Sequence, residues 1–359
     1  MADPQDFVVS RSDLRRTAFV PAAYGPDSAI GAGEILVRVS RFAMTANNVT
    51  YGAVGEMIGY WTFFPAPEGW GRIPVWGFAD VVRSQDGSVA VGERLYGYFP
   101  MSQYLVLRPE RVSGGGFVDA TPHRASLPAV YNQYARVPAN ADPKREALTA
   151  IFRPLFGTSF LLDDYLEENG IFGAKTVVLS SASSKTALGL AFLLTQAKRC
   201  AVVGLTSTGN RDFVQRTGYY ATVLTYDDVA KLSSDEPAVF IDFSGNGGVL
   251  KAVHERLGDA LKQSILVGMT HWERMAPASD LPGPTPAFFF APDRLNKRTK
   301  DWGAPEFQRR LGETMGRFLG SVSPWLRVVE GQGPAALESV YHDMVEGRMN
   351  PAEGHVLSL

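Results

Sequence analysis

The sequence predicts an α/β chain in two parts, a β-rich domain and a domain of alternating strands and helices around a parallel sheet. Three observations carry that expectation. Residues 1–149 are rich in Gly, Pro and aromatic side chains and break into short apolar runs, the pattern of strands joined by turns. From residue 150 onward, short apolar runs alternate with helical stretches, which is how a parallel sheet with crossover helices reads. The closing GHVLSL is a short strand that needs a partner, and the β-rich domain is the natural place for one. The division follows as 1–149 with 322–359 for the β-rich domain, and 150–321 for the other.

The elements follow in order. EILVRVSRFAM (Glu34–Met44) alternates like a half-buried strand. IPVWGFADVVRS, VAVGERLYGYFP and SQYLVLRP come next, separated by turns containing Gly and Pro. The second part is expected to run helix 150–169, strand 175–179, helix 185–196, strand 200–205, helix 210–217, strands 221–225 and 238–242, helix 249–257 and strand 263–268. An aromatic strand at 287–290, a charged amphipathic helical region at 295–318 and a last helix before GHVLSL complete it.

Composition narrows the function classes. Hydrophobic content of 45% and charged content of 20%, with a net charge of -2, are those of a soluble globular protein and not of a disordered or fibrous one. No basic stripe argues for nucleic acid, and the longest apolar runs, AVFID and PAFFFAP, fall far short of a membrane span. The opening MADPQDFVVSRSDLRR lacks the apolar segment of a secretory signal. Cys200 is the single cysteine, so neither an intramolecular disulfide nor a cysteine-rich metal site can form. A cytoplasmic location is the default expectation.

The stretch VVLSSASSKTALGLAF (Val177–Phe192) reads as a buried strand, a tight turn and a helix start. That is the context of a pyrophosphate site, where helix-terminal N–H groups face an anion. The usual glycines are replaced by Ser181, Ser183, Ser184, Lys185 and Thr186, which offer hydroxyls and a full positive charge. After the next strand, GLTSTGNRDFV has no Asp or Glu to accept from a ribose hydroxyl. It has Thr206, Ser207 and Arg211 instead, a set suited to a phosphate, so NADP is favoured over NAD.

These segments, taken in order, resemble the medium-chain dehydrogenase/reductase superfamily in its zinc-free, quinone-reductase-like branch. GEILVRVSRFAMTANNVTYGAVGE resembles that family's opening strand and loop, VAVGERLYGYFP its "VGDRVYG" segment, VFIDFSGN its "vvDtvGg" and GHVLSL its "GKvVL". NRDFVQRTGYYATVLTYDD resembles the segment in which a basic residue precedes a helix and a Val-Ile-x-Tyr strand end. The resemblance implies a Rossmann-type nucleotide domain with a GroES-like β-rich domain. It puts Arg211 at the 2′-phosphate and Tyr226 beside the adenosine half, and suggests a homodimer joined through the edge strand at 287–290. Against the family's A-x-G-G-V-G turn, Ser184 and Lys185 stand at the paired glycines and Ala187 at the last. The SSASSKTA turn therefore looks like the mark of a distinct subgroup.

The same resemblance puts Thr45 where zinc-dependent members carry a cysteine and Gly77-Phe78-Ala79 where they carry Gly-His-Glu. The five histidines show neither HxH nor HExxH spacing, so zinc-independent chemistry is expected. Reduction then needs a positioned hydride donor and a side chain that polarises or protonates the substrate. His271, in the run THW that follows the strand SILVGM, and Thr45, Asn48 and Tyr51 in TANNVTYG are the candidates. The expected reaction is NADP-dependent hydride transfer to an enone, quinone-like or carbonyl compound. The alternatives are lyase or isomerase chemistry on a CoA-like or acidic ligand, and a nucleotide-binding sensor without turnover.

Overall fold

The structure, a computed structural model, describes residues 3–138, 141–267 and 281–359. It divides into two units, Met1–Ile151 with Val328–Leu359, and Phe152–Arg327.

In the second unit the apolar runs become one parallel sheet: β1 (Thr176–Leu179), β2 (Ala201–Thr206), β3 (Thr222–Thr225), β4 (Ala238–Asp242), β5 (Leu261–Leu266) and β6 (Ala287–Phe288). They lie in the order β3-β2-β1-β4-β5-β6, and each neighbouring pair is parallel. Val178, Phe240 and Leu205 are fully buried, as strands covered on both faces require. The order reverses between β1 and β4, where the chain first winds one way and then the other. Open sheets of this kind leave a ligand crevice at that point, outside the carboxyl ends of the strands.

The helices are α1 (Pro143–Glu168), α2 (Lys185–Ala197), α3 (Arg211–Thr217), α4 (Gly247–Leu257), α5 (Ala291–Trp302) and α6 (Ala304–Ser321). α1 begins earlier than the hydrophobic pattern suggested, because Asp142 caps it, accepting from the Lys144 N–H through its side chain and from the Glu146 N–H through its carbonyl. The amphipathic region expected at 295–318 is two helices. Gly303, at φ +80, breaks the chain between them, and Pro305 suits the first turn of the second.

The first unit carries a nine-stranded sheet whose main path runs from Arg327–Gln332 through Glu353–Ser358, Ile35–Met44, Pro74–Ser84, Arg94–Pro100, Gln133–Val137 and Gly116–Asp119 to Pro109–Ser113. The closing GHVLSL strand pairs antiparallel with Ile35–Met44, His355 opposite Met44 and Leu357 opposite Phe42. Gly77 is needed where the strands cross closely: a Cβ there would meet the Arg41 carbonyl at 2.2 Å. The fold is thus α/β, a Rossmann-type parallel sheet with a separate β-rich sheet. Among the described residues no helix is long and apolar enough to cross a membrane.

Candidate functional site

The chain leaves β1 at the crevice, and the serine-rich turn begins with a buried anchor. Ser180 is fully buried; its hydroxyl donates to Asp242 Oδ1 at the tip of β4 and accepts from the N–H groups of Phe243 and Ser244 at 2.8 and 3.1 Å. Asp242 Oδ1 also accepts from the Ser244 N–H and hydroxyl. One serine and one carboxylate thereby lock the two strands that flank the reversal. Asp242 thereby serves as a structural hydrogen-bonding residue.

The next three residues are each gripped from β2 and β3. Ser181 sits at φ +47, a left-handed conformation that glycine adopts more easily. Its N–H donates to the Tyr226 hydroxyl at 3.0 Å and its carbonyl accepts from the Ser184 N–H at 2.7 Å. Ala182 accepts the Tyr220 hydroxyl at 2.8 Å, and Ser183 Oγ accepts from Asn210 Nδ2 at 3.1 Å. Small size is required as well: a Cβ on Gly204 would meet both Ala182 and the Tyr220 ring at 2.9 Å. Tyr220 and Asn210 escaped the sequence reading. An aromatic and an amide in a loop carry no motif, and only the return of β2 and β3 alongside β1 gives them a role.

Ser184 then caps α2, accepting from the Ala187 N–H at 3.3 Å through its side chain and from the Leu188 N–H through its carbonyl. The amides of Lys185 and Thr186 open the helix, where no intrahelical acceptor is available. The positive end of the helix dipole is here. Lys185 adds a full charge of the same sign, an arrangement that favours an anion. Ser159 fixes the first turn from behind, donating to the Thr186 carbonyl at 2.7 Å.

At the end of β2, Thr206 is buried, whereas Ser207 and Arg211 are exposed. Arg211 is the first residue of α3, and its charge helps hold the Asp228 carboxyl low, after Lys231 and Thr225. Burial raises the Tyr226 phenol, opposed by the Ser181 N–H, so it stays a neutral partner for the turn. The phosphate-suited residues of the sequence reading therefore lie along two neighbouring carboxyl ends of the sheet.

In the β-rich unit, Thr45 precedes the short helix Ala46–Ala53. Asn48 is buried; its Oδ1 accepts from the Thr45 N–H at 2.8 Å and hydroxyl at 3.3 Å, and its Nδ2 donates to the Pro74 carbonyl at 2.8 Å. Both ends of that amide are committed to the protein itself. Tyr51 is buried and its hydroxyl accepts from Trp76 Nε1 at 3.2 Å. In the stretch GYWTFFPAPEGWGRIPVWG, Trp61, Phe63 and Phe64 are core, while Trp70 and Trp76 are half-buried. His271 lies outside the described residues. Among the described residues no group of three His, Cys, Asp or Glu side chains is placed to hold a metal ion.

A protein family described as "Protein of unknown function (DUF2855)" matches residues 42–350. The chain belongs to this family. No curated protein matches the DUF2855 chain in sequence. Solved structures do match in shape. CurA from Vibrio vulnificus, in complex with NADPH, superposes with a TM-score of 0.63 at 15% identity, covering 99% of this chain and 98% of that one. CurK enoyl reductase gives 0.58 at 14% identity over 99% of both chains. The ETR1P/NADP/crotonyl-CoA complex gives 0.58 at 12% identity over 100% of both. Identities this low speak for the fold alone: the DUF2855 chain shares with these structures a Rossmann-type parallel sheet and a separate β-rich sheet.

Proposed function

We propose that the chain is an NADP-dependent reductase that transfers hydride to an enone, quinone-like or other polarised carbonyl compound without a metal. What supports this reading is the braced turn at the sheet's reversal point, where Lys185 opens α2 and Arg211 opens α3, residue types suited to a multiply charged phosphate. Similar folds crystallised with NADPH and with NADP plus crotonyl-CoA support it.

NADPH, when bound, supplies the hydride. The chain's own residues bind and orient. The Lys185 and Thr186 amides and the Lys185 ammonium hold the diphosphate. Ser183, whose oxygen already accepts from Asn210, has its proton to donate to the same group. Arg211 and Ser207 take the 2′-phosphate; the absence of a carboxylate at the end of β2 removes the group that would prefer a bare ribose. Tyr226 and Ser181 shape the floor, and Ser184 and Thr206 act through the turn they hold. Tyr51 donates to the substrate, His271 is kept as a proton source, and Thr45 and Asn48 fix the loop that carries Tyr51. Thr45, standing where a metal-binding member has a cysteine, fits zinc independence. A cytoplasmic, reducing setting suits the lone half-buried Cys200.

The proposed homodimer would join through the edge strand β6. Phe288 is 54% exposed and stacks on Phe290, beside a cavity of about 310 Å³ lined by Tyr165, Phe289, Arg294 and Lys297. Phe288→Lys should convert a homodimer to a monomer by light scattering; an unchanged mass would remove the edge from consideration.

The test of the main reading is a fluorescence titration with NADPH and with NADH. NADPH should bind, and NADH at least about tenfold more weakly, as losing a charge-assisted phosphate contact implies. Arg211→Ala should erase the preference, and Lys185→Ala should weaken both cofactors. Failure of both cofactors to bind, or a preference that survives Arg211→Ala, would overturn the reading.

A further inference from the structure

Two asparagines of the second unit stand immediately before α-helices, and their side chains do different things. Asn246, before α4, caps its own helix: Oδ1 accepts from the Gly248 N–H at 2.9 Å and the Val249 N–H at 3.2 Å, as an asparagine at that position normally does. Asn210, before α3, makes no such bond. Its backbone is close to helical, at φ -100 and ψ -5. Its side chain turns away from its own helix, and Nδ2 donates to Ser183 Oγ at 3.1 Å. Forgoing a cap costs stability, so the contact with Ser183 asks for another explanation.

The turn does not need that contact for its shape. Tyr226 holds the Ser181 N–H at 3.0 Å and Tyr220 holds the Ala182 carbonyl at 2.8 Å. Both of these fix backbone. Asn210 instead touches a side-chain hydroxyl, and what it fixes there is polarity. A serine oxygen has one proton and two lone pairs. With Nδ2 filling a lone pair, the hydroxyl cannot turn its proton to Asn210, and among the described residues no group accepts that proton. Ser183 and Asn210 are both half-buried, which keeps the proton within reach of a ligand. The Asn210 N–H donates to the Ser207 carbonyl at 3.0 Å, so the amide is itself held in place.

We propose that Asn210 is a positioning residue that makes Ser183 a hydrogen-bond donor to the diphosphate of a bound nucleotide. The inference deepens the reductase reading and rests on it for the identity of the cofactor, though not for diphosphate binding. A hydroxyl free to rotate meets an anion with a lone pair as readily as with a proton. Holding the proton outward beforehand removes that loss. The role differs from that of Arg211, the next residue, which faces the 2′-phosphate in that reading. Asn210 serves the diphosphate, which NADPH and NADH share.

Calorimetric titration of the full chain with ADP reads the diphosphate without a 2′-phosphate. Ser183→Ala should weaken ADP at least about tenfold, the range for a bond to a charged group. Asn210→Ala should weaken it about three- to tenfold, because the hydroxyl remains but is no longer oriented. Asn210→Asp keeps the shape and reverses the polarity, since a carboxylate takes the Ser183 proton; it should weaken ADP at least about tenfold. Once Ser183→Ala is in place, adding Asn210→Ala should change affinity by less than about twofold, which a merely structural asparagine would not do. NADPH and NADH should weaken together in Asn210→Ala, leaving their ratio as in the wild type. Unchanged ADP affinity in Asn210→Asp, losses that add in the double variant, or a changed NADPH-to-NADH ratio with ADP unaffected would overturn the proposal. The two readings fail separately. The Asn210 pattern with ADP, combined with an NADPH preference that survives Arg211→Ala, leaves Asn210 in its role and refutes the reductase reading; NADPH binding that needs Arg211 but not Asn210 does the reverse.

Discussion

Ser180→Ala removes one oxygen from the nucleotide unit and should cost far more than its size suggests. The change leaves the small-residue turn intact and opens only a minor void. It deletes a donor to the Asp242 carboxylate and the acceptor of the Phe243 and Ser244 N–H groups. Ser244 keeps Asp242 as an alternative acceptor at 2.9 Å, so Phe243 is the amide left stranded. A stranded buried amide costs about 1–3 kcal/mol and a lost bond to a charged group about 1.5–3. With partial relaxation, we expect about 3–4 kcal/mol. Hydrogen exchange followed by mass spectrometry should localise it, with the amides of β1 and β4 exchanging roughly 100- to 1,000-fold faster. Asp242→Asn, which keeps an oxygen for Ser180 and Ser244 but drops the charge, should fall between the variant and the wild type. A loss below about 1 kcal/mol in Ser180→Ala, or acceleration confined to other strands, would refute the view that this pair locks the reversal point.

Ser181→Gly relieves the left-handed strain at φ +47 and should raise the melting temperature by roughly 1–4 °C; a fall of more than about 2 °C would mean the serine side chain contributes more than the strain. Gly77→Ala forces a Cβ to within 2.2 Å of the Arg41 carbonyl and should destabilise the β-rich unit by more than about 3 kcal/mol, seen as insoluble expression or a large drop in the urea midpoint; a well-folded variant would contradict the register described. Burial pushes the Asp163 carboxyl up to about 6, with Arg199 pulling the other way. An aspartate in the unfolded chain ionises near ~4, so between roughly pH 4 and 6 the native state keeps a proton the unfolded chain has lost, and stability falls as pH rises through that window. The wild type should lose up to about 3 kcal/mol across it relative to Asp163→Asn; identical pH profiles of the two proteins would show that the carboxyl ionises normally.

Much of the fold was legible in the sequence because burial on both faces makes parallel strands nearly continuous apolar runs, and VVL, AVV and AVFID read that way. Boundaries moved where capping rather than hydrophobicity decides them. Asp142 starts α1 before its apolar face begins, and Gly303 divides a single amphipathic pattern in two. Lys185, Arg211 and the serines were visible as residue types suited to phosphate, since charge and hydroxyl content are properties of the residue itself. Asn210 and Tyr220 were not, because neither has chemistry that marks it until a partner is known.

The amino-acid sequence by itself determined the class of fold, the small and polar character of the turn after β1 and the lack of an acidic residue after β2, all consequences of local composition and period. Only the tertiary structure decided how a turn without glycines holds its shape, and that tyrosines from separate segments pack their rings together. Hydrogen-bond satisfaction is a property of surroundings, and surroundings assembled from residues tens of positions apart exist only once the chain has folded.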